Sequence, residues 1–378
     1  MATSGNDTKL SLISNNIMPQ KISRIIKTIN TQNLTENIQK ILTLDSWKEI
    51  IWVLKADAYS HGIKIVSQTL HDLNQKQYGV YEIQEAKILD ELYSDVSIFI
   101  FDGLTESEWA DFTTINSFKN KLIICLNKIE DLDKIQNITN PNIEYHVFIE
   151  TGFHWYGVQN VDEFCEAAKS KKVNISGVCS HFIQSDQPDS DITLSQIKKF
   201  NEEVESVRHY FPNVKTHLGN SNALVHKLAL GTDFYRVGRI MYGGKFGNEV
   251  FKQVMSIKVE VLQVKEVKSG ETISYGANFT ADEDTRIAVL AGGYLYGIDR
   301  RLSNIGKFYY ENKILNILGT VAMNTTVVDI GNLDIEAGDW VTFTDDIDEI
   351  RVTDIAKEIG VIEHEFYLRT SLISSIVG

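Results

Sequence analysis

The sequence of 378 residues has few cysteines, no long apolar run and a deficit of positive charge. Its three cysteines, Cys125, Cys165 and Cys179, form no CxxC pair, which argues against a disulfide framework and predicts no bound metal. Each is interpreted as a small residue of the core. The formal net charge of −14 argues against binding to nucleic acid or to anionic membranes, because both require clustered positive charge.

The longest apolar runs are too short to cross a bilayer, and residues 1–7 lack the basic and apolar regions of a signal peptide. A cytoplasmic location is therefore expected. Residues 1–20 are polar and aperiodic, which predicts a flexible leader. With 43% hydrophobic and 23% charged residues, the chain has an ordinary globular composition and the length for two domains.

Short β-branched runs alternate with amphipathic segments over the first two thirds of the sequence. Near-continuous apolar strands separated by amphipathic helices indicate a parallel sheet covered by helices. Eight such units in about 250 residues predict an α/β fold, a (β/α)8 TIM-type barrel over residues 21–252. The candidate barrel strands are residues 50–54, 77–81, 97–101, 122–126, 144–149, 175–181, 215–218 and 234–237.

The hydrophobic pattern of the sequence changes after Gln253. Residues 255–264 alternate with period two, and no strong helix is expected before residues 353–360. This pattern predicts a C-terminal antiparallel β domain over residues 253–378. The glycine-containing segment 246–251 is interpreted as a hinge. A strand at about residues 21–29 precedes the barrel units and is a candidate for pairing with the β domain.

Lys55 ends the first barrel strand, and the chain then turns polar. An ammonium group is rarely buried unless it is paired or used chemically. Burial lowers the pKa of a lysine, and the neutral amine is the form that Schiff-base chemistry requires. Considered alone, such a lysine is more often a snorkelling or ion-paired residue. The residues at the other strand ends must therefore distinguish a catalytic lysine from a structural one.

Polar residues also follow the last three barrel strands, in the segments Ser180-His181, Gly219-Asn220-Ser221 and Arg236-Val237-Gly238-Arg239. Functional groups of such barrels cluster at the carboxyl ends of the strands, and the last two loops commonly bind phosphate. Helix N-capping is an equally good interpretation of Asn220 and Ser221. A phosphate site opposite a lysine suggests pyridoxal 5'-phosphate as the cofactor.

The motif Lys55-Ala56-Asp57-Ala58-Tyr59, with His61-Gly62, resembles the cofactor-lysine motif of the alanine racemase family, pyridoxal-phosphate enzymes of fold type III. The resemblance implies a pyridoxal-phosphate-dependent amino-acid racemase, an isomerase that acts on a small amino acid and assembles as a head-to-tail homodimer. The matches cover about residues 22–370 and include Glu150-Thr151-Gly152, Ser180-His181-Phe182, Gly219-Asn220-Ser221, Arg236-Val237-Gly238, Met241-Tyr242-Gly243, Ser274-Tyr275-Gly276 and Gly319-Thr320-Val321-Ala322-Met323.

The resemblance also assigns roles. Lys55 is the Schiff-base lysine and one of two acid/base groups, and Tyr275 is the opposing base, contributed by the partner subunit. Racemisation needs such a pair because one face of the substrate loses a proton and the other gains one. Arg236 is the partner of the pyridine nitrogen and is supported by His181. The other cofactor-binding candidates are Tyr59, Asn220, Ser221, Gly238, Arg239 and His364, and the substrate-binding candidates are Trp155, Tyr294 and Met323.

The sequence departs from the family pattern at four positions. Phe148 replaces a lysine, Trp155 an arginine that helps to hold the substrate carboxylate, Asn324 an aspartate, and His364 a tyrosine that reaches the phosphate. An indole cannot replace the forked, charge-assisted hydrogen bonds of a guanidinium, a loss of about 1.5–3 kcal/mol.

These changes leave two alternatives open. One is an enzyme of the same fold with a changed substrate or reaction, such as a decarboxylase, lyase or transfer enzyme. The other is a cofactor-binding protein without turnover. The retained tyrosine Tyr275 favours the racemase.

Overall fold

The computed structural model describes residues 24–45, 48–228 and 231–378. The predicted flexible leader, residues 1–20, lies outside these ranges. Within them, no helix has both the length and the apolar character needed to span a membrane. The cytoplasmic location stays a prediction.

Strand β1 (Ile25–Ile29) precedes a closed barrel of eight parallel strands, which are neighbours in the order of the chain. Strand β9 closes the barrel by pairing with β2, with Arg236 beside Ile51. The predicted (β/α)8 barrel is confirmed. Its strands are β2 (Glu49–Val53), β3 (Gln77–Val80), β4 (Ser97–Ile100), β5 (Lys121–Leu126), β6 (Ile143–Phe148), β7 (Ile175–Cys179), β8 (Lys215–His217) and β9 (Phe234–Val237).

The helices of this half cover the barrel with their apolar faces. In α3, for example, Ile63, Val66 and Leu70 are buried, as their helical spacing predicts. The helices are α1 (Thr31–Leu44), α3 (Ile63–Asp72), α4 (Ile83–Leu92), α5 (Glu106–Ala110), α6 (Phe112–Asn116), α7 (Asp131–Lys134), α8 (Val161–Ser170), α9 (Asp191–Tyr210) and α10 (Ser221–Val225). The short element α2 (Lys55–Ser60) is a left-handed turn at the end of β2.

The segment interpreted as a hinge forms an antiparallel hairpin, β10 (Gly244–Phe246) with β11 (Glu249–Phe251). The rings of Phe246 and Phe251 pack 6.1 Å apart. Gly247, with φ of 55°, supplies the left-handed conformation that the tight turn requires. Gly247 therefore serves to close the turn between β10 and β11.

The C-terminal half is built on an antiparallel sheet around the long strand β12, as predicted. Strand β1 joins this sheet, antiparallel to β12 and parallel to β20, with Ile29 opposite Met255. The remaining elements are β12 (Met255–Val267), β13 (Thr272–Ile273), β14 (Phe279–Thr280), β15 (Thr285–Ala291), β16 (Lys307–Tyr310), β17 (Lys313–Asn316), β18 (Thr325–Asp329), β19 (Trp340–Thr344), α11 (Val352–Ile359), α12 (Glu363–Arg369) and β20 (Ser375–Val377).

Candidate active site

A cavity of about 530 Å³ opens at the carboxyl end of the barrel strands, where such barrels carry their functional groups. The structure brings together in it every residue that the sequence marks as a cofactor contact. These residues are Lys55, Tyr59, His181, Asn220, Ser221, Arg236, Gly238, Arg239 and His364.

Lys55 is followed by a left-handed turn, in which the four residues 56–59 have φ between 53 and 55°. This conformation costs residues other than glycine roughly 1–2 kcal/mol each. Asp57 helps to hold it, because its carbonyl accepts from the N–H of Gly62 at 2.9 Å and its Oδ1 accepts from the N–H of Ile63 at 2.7 Å. The strained turn sends both its lysine and its tyrosine into the cavity.

The Nζ atom of Lys55 lies over the ring of Tyr81, 4.1 Å from its centroid. Burial lowers the pKa of Lys55, while the carboxylates of Asp102 and Glu85 act in the opposite direction. A lowered pKa increases the fraction of neutral amine, which is the form that attacks a carbonyl group. The lowered pKa of Lys55 is thus compatible with a nucleophilic amine in the cavity.

Asp102, two residues after the end of β4, is another titratable group in the cavity. Burial raises the pKa of Asp102 to about 6, opposed by a hydrogen bond from Tyr156 and by the charge of Lys55. The hydroxyl of Tyr156 donates to its Oδ1. The cavity therefore holds a carboxyl group that is mostly ionised at neutral pH.

Arg236, in β9, is buried and donates to two histidines. Its Nη2 donates to Nδ1 of His181 at 3.0 Å and to the carbonyl of Ser180 at 2.6 Å. Its Nη1 donates to Nδ1 of His217 at 2.8 Å and to the carbonyl of His217 at 2.8 Å. These contacts leave Nε for a further acceptor, which suits the unprotonated nitrogen of a pyridine ring.

The chain of hydrogen bonds from Arg236 through His217 extends to a second histidine inside the barrel. Nε2 of His217 lies 2.9 Å from Nδ1 of His146. Burial, with the nearby charge of Arg236, holds the pKa of His217 well below its usual range. Burial lowers the pKa of His146 to about 3. Both rings are therefore neutral, and Arg236 is the permanent charge of this chain of contacts.

Tyr59, Ser221 and Gly238 form a small cradle of donors on the other side of the cavity. The N–H of Gly238 donates to Oγ of Ser221 at 3.3 Å. A Cβ atom on Gly238 would lie 2.9 Å from the Tyr59 hydroxyl, so glycine permits this close approach. Burial raises the pKa of Tyr59, which keeps the phenol protonated as a donor. Hydroxyl and backbone N–H groups of this kind hold phosphate.

Asn220 has the N-capping role that the sequence left open. Its Oδ1 accepts from the N–H of Ala223 at 3.1 Å and from Oγ of Ser185 at 2.7 Å. The side chain of Arg239 is also engaged, because its Nη2 pairs with Oε2 of Glu363 at 3.0 Å. For Arg239, the backbone N–H and not the side chain is therefore our candidate donor.

His364, in α12, faces Tyr59 edge-on with ring centroids 6.2 Å apart. Its Nδ1 is buried and has no hydrogen-bond partner among the described residues. Burial, and after it the charge of Arg239, lowers the pKa of His364. A buried ring nitrogen without a partner fits a site that a polar ligand group completes.

Two family models match most of the chain: the N-terminal domain of alanine racemase over residues 29–245 and its C-terminal domain over residues 254–374. The chain belongs to the alanine racemase family. It is 30% identical to alanine racemase 1 of Clostridium acetobutylicum, over 89% of this chain and 90% of that relative. It is 31% identical to the alanine racemase of Borreliella burgdorferi, over 80% and 83%.

The fold is also similar to solved structures of this family. The alanine racemase of Bartonella henselae, solved with covalently bound pyridoxal phosphate, has a TM-score of 0.83 and 21% identity over 94% of this chain and 100% of that chain. The predicted family and enzyme class, a pyridoxal-phosphate-dependent isomerase of the alanine racemase type, are confirmed.

The structure does not bring three of the family-implied residues into the barrel cavity. Tyr275, Tyr294 and Met323 line a second cavity, of about 720 Å³, in the C-terminal half. Among the described residues, the two cavities share no lining residue. The three side chains are exposed in the single chain, and that of Tyr275 is 72% exposed.

The backbone around Tyr275 is held firmly although its ring is exposed. Oγ1 of Thr320 donates to the carbonyl of Tyr275 at 2.8 Å, and Oγ of Ser274 donates to the carbonyl of Thr320 at 2.5 Å. Nδ2 of Asn278 donates to Oγ1 of Thr320 at 2.9 Å. The backbone of Tyr275 is therefore fixed while its ring is open to solvent in the single chain.

Two of the four departures from the alanine racemase pattern, Phe148 and Trp155, contribute to an aromatic wall of the barrel cavity. Phe148, at the end of β6, is buried, and its ring lies 5.1 Å from that of Tyr156. Trp155 is 66% exposed and packs on Phe153 with ring centroids 4.3 Å apart. The positions of the family's lysine and arginine thus hold rings that contribute no cation. Asn324 is exposed in the C-terminal half.

Sequence reasoning did not identify Tyr81, Asp102, Tyr156 and the histidine pair. A signal existed for Tyr81 and Asp102, because they lie within two residues of the ends of β3 and β4, at the same end of the barrel as Lys55. Tyr156 enters the cavity from a loop whose path the sequence pattern does not predict.

Proposed function

We propose that the chain racemises a small amino acid with pyridoxal phosphate, using Lys55 and Tyr275 of the partner subunit as the two acid/base groups in a head-to-tail homodimer. The observation that carries the proposal is the position of Lys55, across one cavity from the cradle of Tyr59, Ser221 and Gly238. An aldehyde with a phosphate arm fits this arrangement of an amine and anion donors.

The residues of the cavity fit the cofactor group by group. Tyr59, Ser221 and the backbone N–H groups of Gly238 and Arg239 would hold the phosphate, together with His364. Arg236 would face the ring nitrogen through Nε, and because a guanidinium keeps its protons, that nitrogen would stay unprotonated. Lys55 would attach the cofactor. When bound, the cofactor supplies a conjugated ring that draws electron density from the substrate Cα.

The unprotonated ring nitrogen favours simple proton exchange, because it makes the ring a weaker electron sink. Lys55 would hold or deliver a proton on one face of the substrate. A second group must act on the other face. Tyr275 is the candidate for that group, because its hydroxyl is exposed on a fixed backbone and lies outside the cavity of its own chain.

Alanine is the first substrate to test, since the relatives described above are alanine racemases. The alternative of a changed reaction is not favoured, although the aromatic wall at Phe148 and Trp155 leaves the substrate carboxylate without the family's arginine. Tyr294 and Met323 are proposed as further substrate contacts from the partner, because they share the second cavity with Tyr275.

Solvent deuterium incorporation tests the proposal. Purified protein loaded with pyridoxal phosphate is incubated with L-alanine in D₂O, and Cα exchange and chirality are followed by NMR and chiral chromatography. We expect exchange with inversion, which is lost in Y275F. The matched control is Y309F, since the hydroxyl of Tyr309 bonds to Asn312 outside both cavities. No exchange with alanine or with a panel of other amino acids would refute a racemase.

A further inference from the structure

Lys27, in β1, is a buried lysine that the proposed chemistry does not use. Its side chain is 2% exposed. Its Nζ donates to the carbonyl of Ser60 at 2.7 Å, to Oγ of Ser60 at 3.0 Å and to the carbonyl of Thr370 at 3.3 Å. An ammonium has three protons, so these acceptors satisfy it completely.

The acceptors of Lys27 belong to two elements of the candidate cofactor site. Ser60, with φ of 66°, ends the left-handed turn that carries Lys55 and Tyr59. Thr370 directly follows α12, the helix of His364. One ammonium therefore joins strand β1, the turn after Lys55 and the end of the helix that carries His364.

The turn needs such support. Several successive residues with Cβ atoms hold positive φ in residues 56–60, a strain that persists only when the surroundings impose it. Hydrogen bonds from a charged donor are about twice as strong as neutral ones. The Lys27 ammonium binds the carbonyl and the hydroxyl of Ser60, where the chain leaves the turn.

We propose that Lys27 is a positioning residue for the cofactor, whose ammonium holds the left-handed turn in the form in which Lys55 and Tyr59 reach pyridoxal phosphate. The inference rests on the proposed function, because it concerns how that cofactor site is held. Lys27 touches neither the cofactor nor the substrate in this proposal and acts through the turn.

The electrostatics of Lys27 favour this role over a purely structural one. Burial lowers the pKa of Lys27 to about 8, and the charge of Asp57 opposes this shift. The other titratable group facing it is His61, whose pKa burial lowers to about 3, so it stays neutral. Because the folded pKa of Lys27 lies below its ordinary value, stability from this group rises with pH between about 8 and 10.5. At neutral pH the buried charge thus opposes folding, and a role in the site explains its presence.

The test is K27M, which keeps the length of the side chain and removes the donors. Cofactor-free protein is titrated with pyridoxal phosphate, and thermal unfolding is recorded in parallel. We expect the Kd for pyridoxal phosphate to rise about tenfold or more while Tm does not fall. K48M is the matched control, because Nζ of Lys48 also donates to a carbonyl, that of Thr232, at the opposite end of the barrel. Its Kd should equal that of the wild type.

Two further readouts complete the test. Hydrogen exchange of the peptide containing residues 55–62 in cofactor-free K27M should be faster than in the wild type. Between pH 7.5 and 9 the cofactor affinity of the wild type should fall more steeply than that of K27M. If K27M does not fold, S60A removes one acceptor and the same measurements apply. Unchanged Kd and exchange, or lowered stability with unchanged Kd, would overturn the inference. A wild type that binds no pyridoxal phosphate would instead overturn the proposed function.

Discussion

The guanidinium of Arg236 donates to Nδ1 of His181 across 3.0 Å. Arginine has no acceptor, so this contact fixes His181 as the neutral tautomer with its proton on Nε2. His217 is fixed in the same way and then donates from Nε2 to His146. A single residue that is always protonated thereby sets the proton positions of three histidines. Its Nε makes none of the hydrogen bonds to these histidines, and we propose it as the donor to the cofactor.

This relationship predicts the protonation state of His181. Burial, with the charges of Arg236 and Lys55, lowers the pKa of His181 to about 3. We expect ¹⁵N NMR of labelled protein to show the Nε2–H tautomer, unchanged between pH 5 and 8. An assigned His181 signal that titrates in this range, or shows a proton on Nδ1, would contradict the prediction.

The buried histidines also predict steep loss of stability in acid. Burial lowers the pKa of His61, His146 and His181 to about 3, below the ordinary 6.5. The unfolded chain therefore binds more protons in this window, and stability falls as pH drops below about 6.5. Each such histidine contributes up to about 1.4 kcal/mol per pH unit. Urea unfolding between pH 7 and 4.5 measures the slope.

H61F supplies the control for that slope. His61 stacks on Tyr242 at 4.1 Å, a contact that a phenyl ring can keep. The substitution also removes the hydrogen bonds from Nδ1 to the carbonyls of Tyr59 at 3.0 Å and Ala58 at 3.2 Å, so the slope and not the stability at one pH is compared. We expect the slope of unfolding free energy against pH to become shallower by about 1.4 kcal/mol per pH unit. An unchanged slope would mean that His61 already carries a proton in the folded protein.

The sequence predicts the barrel and its main site residues because both depend on local patterns. Lys55 and Arg236 stand at or next to strand ends, and parallel strands of a barrel all end on one rim. The same reasoning places Ser221 there. The sequence does not predict contacts between side chains of different strands. His146 reaches His217 across Gly177, which lies between them. A Cβ atom on Gly177 would come within 2.3 Å of the His146 ring, so only glycine leaves room for this contact.

The left-handed turn after Lys55 is also beyond the sequence pattern. None of its residues 56–60 is glycine, and its last residue, Ser60, hydrogen-bonds to Lys27 and Thr370, which are distant in the sequence. The hairpin at residues 244–251 is the opposite case, because Gly247 has a local role in its tight turn. The hinge interpretation of residues 246–251 stays a prediction.

The aromatic wall predicts a gain of substrate affinity in W155R. Trp155 lines the barrel cavity and offers one N–H without charge. A guanidinium there can hold a carboxylate with two charge-assisted hydrogen bonds, so we expect KM for alanine to fall about tenfold or more. W155L removes the ring without adding a donor and should not lower KM. Equal KM values for W155R and the wild type would show that the carboxylate is held elsewhere.

Paired variants predict which chain supplies Tyr275 to each site. The two cavities share no lining residue in the described chain, and in the proposed head-to-tail dimer each site would combine Lys55 of one subunit with Tyr275 of the other. Mixed dimers of K55A with Y275F, purified through two different tags, should contain one intact site and recover about half of the wild-type turnover. Mixed dimers of the wild type with the double variant K55A/Y275F contain no such site and should be inactive. If each chain completed its own site, the two results would be reversed, because only the second pair would then hold both residues in one subunit.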